Sequence, residues 1–219
     1  MIRISSLKKA VRDLRYLLNH EYPRESAVNF VSNHYRMHLE ERHLLVRCVF
    51  SKAEINAHQR KAVEAAGVKG KRLGVDGYNI LITTESILTG KQVILCDDGY
   101  IRDLRAIFGK YRSGPDTARA IKAIVKVVVK SAPKETLVLF DKQVGHSGEL
   151  ASDFRERLRL SGLKGDSFAV GGVDMKLREF DVAASSDRAV IEKSKAIWNL
   201  PAEIVRTRKA NLMDLKNLK

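Results

Sequence analysis

The sequence predicts an α/β protein: a mostly parallel, Rossmann-like sheet sandwiched by helices, with a small all-α domain in front of it. Three observations carry this reading. Before about residue 68, apolar residues recur at helical spacing. From Arg72 onward, short apolar runs alternate with amphipathic stretches, the pattern of strands linked by crossover helices. Between the two lies a cluster of Gly67, Lys69, Gly70 and Lys71. The boundary set there gives a helical domain over residues 1–68 and an α/β domain over 71–219.

The elements follow in order. Leu7, Ala10, Val11, Leu14, Leu17 and Leu18 form one face of a first helix, with Lys8, Lys9, Arg12 and Arg15 between them. Tyr22-Pro23 breaks it, and Pro23 suits the first turn of a second helix carrying Ala27, Val28, Phe30 and Val31 and ending near Asn33. A third runs near Leu39 to Phe50. A fourth starts at Ser51, which has capping-box spacing to Glu54. The strand candidates are Arg72–Val75, Gln92–Cys96, Thr136–Phe140, Ser167–Val170, Val182–Ala184 and Glu203–Arg206. The longest amphipathic stretch between them is Asp116 to Lys130. Apolar strands alternating with helices argue a sheet covered on both faces.

The 219 residues are 44% hydrophobic and 30% charged, a composition able to bury a core. No apolar run reaches the roughly 18 residues that span a bilayer. The opening MIRISSLKKAVRDLRYLL carries charges inside its apolar pattern and reads as no signal peptide, so the expected location is cytoplasmic and no membrane partner is expected. Cys48 and Cys96 sit among apolar neighbours and read as buried free thiols. The net charge of +14 favours polyanions as partners.

The aspartates are the informative feature. Asp76 follows the first strand candidate in GVDGYN, Asp97 and Asp98 the second in VILCDDG, Asp141 the third in LVLFD, and Asp187 a later one in VAASSD. Parallel strands end on one edge of an α/β sheet, and ligands bind in the crevice there. Carboxylates converging on that edge repel one another unless a cation lies between them. Hard oxygen ligands select Mg²⁺ or Mn²⁺. Against this, Asp after a strand is also a common turn residue or helix cap, and Asp98-Gly99 has the look of an ordinary turn.

Val75-Asp76-Gly77-Tyr78-Asn79 resembles the VDGYN signature that opens NYN domains, a branch of the PIN-like nucleases. Val138-Leu139-Phe140-Asp141 is similar to the second strand-end aspartate of that family. Val173-Asp174 resembles the aspartate opening a short helix before the last conserved strand, and Ser185-Ser186-Asp187-Arg188 the T-S-D-R element after it. The resemblance covers roughly Lys71 to Thr207. The whole chain also resembles a family of uncharacterised archaeal and bacterial proteins in which a helical domain of unknown function precedes a PIN-like domain. The second strand with its Asp97-Asp98 turn departs from the usual NYN arrangement, as does the segment DKQVGHSGEL.

The resemblance implies a divalent-metal-dependent nuclease with RNA as the favoured substrate. Asp76, Asp141, Asp174 and Asp187 would be the catalytic carboxylates and ligands of Mg²⁺ or Mn²⁺; position after a strand adds Asp98 as a fifth candidate ligand. Asn79 is a candidate for orienting substrate or water, or a helix cap. Ser186 is a candidate donor to phosphate or to Asp187, or a turn hydroxyl. Lys142 and Arg188 are candidates for phosphate oxygens, or solvated surface cations. His34 and His38 have the spacing of a helical metal pair but lack the other residues of a zinc site. A non-catalytic nucleic-acid-binding or adaptor protein on a PIN-like scaffold stands as the second reading. The N-terminal helices are expected to pack against the α/β domain or to serve a protein partner or self-association.

Overall fold

The computed structural model describes residues 3–105 and 111–218. Four helices come first: α1 (Ile4–Asn19), α2 (Arg24–His34), α3 (Leu39–Cys48) and α4 (Lys52–Lys61). α1 buries Leu7, Ala10, Val11, Leu14 and Leu18, the stripe its period demands. Pro23 is the residue before α2 rather than part of its first turn. Ser51 and Glu54 form the capping box: Ser51 Oγ accepts from the Glu54 N–H at 3.2 Å, and Glu54 Oε2 accepts from the Ser51 N–H at 2.8 Å.

The chain continues through β1 (Ala62–Val63), β2 (Arg72–Asp76), α5 (Gly77–Leu88), β3 (Val93–Leu95), β4 (Ile101–Arg102), α6 (Pro115–Ser131), β5 (Glu135–Asp141) and α7 (Ser147–Leu160). It ends through β6 (Gly165–Val170), α8 (Val173–Leu177), β7 (Val182–Ala184), α9 (Arg188–Lys193), β8 (Ile197–Trp198), α10 (Leu200–Arg206) and β9 (Leu212–Asp214). Six strands form one sheet in the order β1-β8-β7-β2-β5-β6, every neighbouring pair parallel. Alternate side chains part to the two faces, as the strand period requires. Leu73, Val75, Val138, Phe140, Val182 and Ala184 meet helices α5, α6, α7 and α10. Leu139 and Ala183 meet α8 and α9 on the other side through Leu177, Val190 and Ile191. The fold is therefore α/β with a helix-covered parallel sheet and a helical N-terminal region.

Two strand expectations are corrected. Glu203–Arg206 belongs to α10: Pro201 stands in its first turn, where the missing N–H costs nothing, and Ile204 points into the core. The sixth strand of the sheet is instead the short β1, and the strand before α10 is β8. The run Gln92–Cys96 narrows to β3 and leaves the main sheet. It forms a second sheet in the order β4-β3-β9, antiparallel to β4 and parallel to β9.

That second sheet is what the N-terminal helices pack on. Their core takes in Ile94, Cys96, Leu104 and Leu215 as well as α1, α2 and α3 residues. The core of these helices thus extends past the change of texture near residue 68 into the second sheet. Arg15 on α1 pairs with Asp97 and donates to the Leu215 carbonyl at 2.6 Å. Cys48 and Cys96 are buried and free.

The topology fixes one location in advance. From β2 the chain steps outward to β5 and β6, then returns through α8 to β7 on the other side of β2. The order of connections reverses between β2 and β7. In open α/β sheets the ligand crevice lies at such a reversal, outside the carboxyl ends of the strands.

Candidate functional site

Asp76 ends β2 and Ser185-Ser186-Asp187 follows β7, so both stand at that reversal. The Ser185 hydroxyl joins them. It donates to Asp76 Oδ2 at 2.8 Å and accepts from the Asp187 N–H at 3.1 Å. Asp187 Oδ1 caps α9, accepting from Ala189 N–H at 2.8 Å and from Val190 N–H at 3.4 Å. Asp187 Oδ2 has no hydrogen-bond partner among the described residues. Burial pushes the Asp76 carboxyl up to about 6; the Ser185 hydrogen bond offsets part of this, and the charge of Asp187 adds to it.

Each residue of Val75-Asp76-Gly77-Tyr78-Asn79 has a packing reason to be what it is. Val75 fills the core. Asp76 caps α5, accepting from the Asn79 N–H at 3.4 Å. A Cβ at Gly77 would lie 2.6 Å from the Phe140 ring, so only glycine lets α5 start there. Tyr78 stands edge-on to Phe140, and its hydroxyl donates to the Gly145 carbonyl at 2.8 Å, holding the loop after β5. Asn79 is not the helix cap. Its Oδ1 accepts from the Ser186 N–H at 2.8 Å and the Ser186 hydroxyl at 3.1 Å, holding the loop after β7. Asp76, Tyr78 and Asn79 thus tie both flanking loops to the central strand and the helix it opens.

The other aspartates fare differently. Asp141 lies on the same edge one strand further, with Oδ1 accepting from the Gln143 N–H at 2.9 Å. Burial first, then the charge of Asp141, raises Tyr78 to about 12. Asp174 is on α8 and pairs with Lys193 of α9, which holds its pKa below the usual range. Asp98 is 1% exposed and fully committed. Arg102 Nη1 and Nη2 each donate to one of its oxygens at 2.7 Å, and His58 Nδ1 lies 2.8 Å from Oδ2. Burial would raise its pKa, but Arg102 and His58 outweigh that and hold it below the ordinary range. The expectation of Asp98 as a metal ligand is therefore corrected: its charge is already neutralised inside the protein.

Arg102 gives Asp98 another part. The Arg102 Nε–H donates to the Ser186 carbonyl at 2.7 Å, so the His58–Asp98–Arg102 chain braces the loop that carries Asp187. Ser186 itself spends its hydroxyl on Asn79. Lys142 is exposed and its stem passes over Gly171. Arg188 is exposed, with Glu54 at 3.8 Å and Glu192 at 3.5 Å. Arg47, on α3, was not foreseen; its charge acts on Asp76 from the helical region.

Among the described residues, no group of three or more His, Cys, Asp or Glu is close enough to hold a metal ion by itself. Neither Asp141 nor Asp174 closes on the Asp76–Asp187 pair in that sense. Two hard carboxylates suit an ion that takes one or two of them and fills its other positions with water and substrate oxygens, as Mg²⁺ does. No helix among the described residues is long and apolar enough to cross a membrane.

Residues 6–61 match the family described as "Protein of unknown function (DUF434)". An uncharacterised protein of Methanocaldococcus jannaschii is 34% identical over 202 residues, covering 91% of this chain and 97% of that protein. No solved structure matches the chain. Residues 65–203, which carry the whole Asp76–Asp187 edge, match the family described as "Domain of unknown function (DUF5616)", and the chain belongs to that family.

Proposed function

We propose that the protein is a divalent-metal-dependent phosphodiester hydrolase acting on nucleic acid, with RNA the favoured substrate. The observation that carries this is the Asp76–Asp187 pair, joined through the Ser185 hydroxyl at the reversal of strand connections. A carboxyl pushed up to about 6 by burial and by a second carboxylate is a group poised for a cation. The preference for RNA and for a PIN-like scaffold rests on the VDGYN resemblance.

Asp76 and Asp187 would hold Mg²⁺ or Mn²⁺. The ion, when bound, supplies an activated water and offsets charge on the phosphoryl oxygens. Ser185 keeps the two carboxylates in register, and Asn79 and Arg102 fix the loop that presents Asp187. Arg188, beside Asp187, is free to meet phosphate through a charge-assisted hydrogen bond once it leaves its loose surface pairs. Asp141, on the same edge, would orient water, and Lys142 beside it would meet phosphate oxygens. Asp174, held by Lys193, is assigned no direct part.

The test is labelled single-stranded and hairpin RNA with Mn²⁺, Mg²⁺ or EDTA, beside an Asp76→Asn/Asp187→Asn double variant. Metal-dependent cleavage that falls by about 10³-fold or more in the variant is the expected result. Binding without cleavage, equal in both proteins, would overturn it. That outcome would favour the non-catalytic nucleic-acid-binding reading, to which the dispersal of Asp98 and Asp174 into ion pairs lends weight.

A further inference from the structure

A cavity of about 270 Å³ opens beside Asp187, between helices α2 and α3 of the N-terminal region and α9 of the α/β sheet. Four arginines line it: Arg24, Arg47, Arg102 and Arg188. Its floor is Phe50, with the Arg24 and Arg102 guanidiniums 5.1 and 5.0 Å from the ring centroid. Asp187 is the one carboxylate in the lining.

The four cations are not equivalent. Arg24 is fixed by a two-pronged pair with Glu54, 2.8 Å to each oxygen, and by the Val49 carbonyl at 3.0 Å. Arg102 is fixed by Asp98 and the Ser186 carbonyl. These two have their charge matched and frame the cavity. Arg47 has one hydrogen bond, to the Asp103 carbonyl at 2.9 Å, and no carboxylate partner among the described residues. Arg188 has only the two loose contacts to glutamates given above. Arg47 therefore faces the cavity with its charge unmatched and Arg188 with its charge only loosely paired, against Asp187, which a bound cation would claim.

The chemistry narrows the occupant. Planar guanidiniums in fixed positions fit the oxygens of a phosphate. Phe50 is buried beneath guanidiniums, so no aromatic face is offered to a base. A phosphate monoester carries more charge than a diester and gains more from Arg47, which has no carboxylate partner among the described residues, and from Arg188, whose pairs are loose. We propose that this cavity binds a terminal phosphate monoester, so that the substrate is a strand ending in phosphate next to the Asp76–Asp187 edge. The helical region then supplies part of the substrate site through Arg24 and Arg47. For the identity of the strand, the inference rests on the hydrolase reading; for the phosphate, it rests on the cavity.

The experiment measures binding and cleavage separately. Fluorescently labelled RNA oligomers bearing a 5′-phosphate, a 3′-phosphate or neither are titrated in EDTA against the wild type, Arg47→Gln and Arg188→Gln. Arg188 is exposed, so its variant tests the site even where Arg47→Gln disturbs folding. Inorganic phosphate serves as competitor and, alone, as a thermal-shift ligand. We expect one phosphorylated end to bind at least 10-fold more tightly than the unphosphorylated oligomer. Either variant should remove that preference, and inorganic phosphate should compete only for the phosphorylated species. Equal binding of all three oligomers, or an end preference untouched by both variants, would overturn the proposal. Metal-dependent cleavage without any end preference would leave the hydrolase reading standing and remove this one. A thermal shift with inorganic phosphate that needs Arg47 and Arg188, without cleavage of any RNA, would do the reverse.

Discussion

Asp76 ends β2 and Asp98 stands beyond β3, each followed by a glycine, and the fold treats their charge in opposite ways. Asp98 meets a guanidinium four residues on and an imidazole from α4, and its pKa falls below the usual range. Burial, with another carboxylate nearby, raises the pKa of Asp76 to about 6, and a serine hydroxyl and a weak backbone donor offset only part of that. Buried charge that is matched is structure; buried charge left unmatched is available to something outside the chain. The two sites are joined, because the arginine that neutralises Asp98 also holds the Ser186 carbonyl beside Asp187.

The largest effect should come from breaking the matched site. Arg102→Met leaves Asp98 buried without its main partner, and chemical denaturation should register a loss of about 3–5 kcal/mol. A loss below about 1 kcal/mol would mean that His58 alone can satisfy Asp98. Next, Mn²⁺ at about 100 times its dissociation constant should stabilise the wild type by about 2.7 kcal/mol. The shift should vanish in Asp76→Asn but persist in Asp98→Asn if the latter folds. Binding should weaken below pH 6, where the ion competes with a proton on Asp76.

Asp76→Asn should also change stability in the absence of metal. The folded-state pKa lies above the ordinary 3.8, so the fold prefers the protonated carboxyl. That preference is fully present below about pH 4 and is lost as pH rises through 6. The asparagine variant should therefore be more stable than wild type at pH 7.5, by about 1–2 kcal/mol after allowing for the water the side chain still meets, and no more stable at pH 3.5. Thermal melts at the two pH values check the sign. The smallest effect belongs to Asp174→Asn: its pair with Lys193 is 37% and 41% exposed, and its loss should cost under about 1 kcal/mol.

The sheet was legible where strands are apolar and long enough to stand out: β2, β5, β6 and β7 all lie under runs recognised as strands. β1 and β8, two residues each, carry no period to detect. Ile204-Val205 is a β-branched pair between polar neighbours, which suits a strand over so short a run, and the decisive sign was Pro201 just before it. Position at a strand end picked out Asp76 and Asp187, and picked out Asp98 equally. The sign that separated Asp98 was Arg102 four residues later, one of the two groups that neutralise it; His58 lies forty residues away with no local pattern to connect them. Arg47 belongs to a different helix from any strand-end motif, so only the packing of α3 against the α/β edge brings it near Asp76.

The shared core of α1–α3 with Ile94, Cys96 and Leu215 has a consequence for synthesis. Domains commonly fold as they leave the ribosome, amino-terminal part first. Here the early helices cannot close their apolar face until β3 and then β9 have been made, because Leu215 and the carbonyl that Arg15 binds come late in the chain. At about 5–20 residues per second, the roughly 200 intervening residues take on the order of 10–40 s to emerge. Throughout that interval part of the apolar face of α1–α3 remains uncovered on the nascent chain. Arrest of translation before residue 212 should therefore yield a polypeptide whose α/β sheet is protected from protease while its first three helices are not.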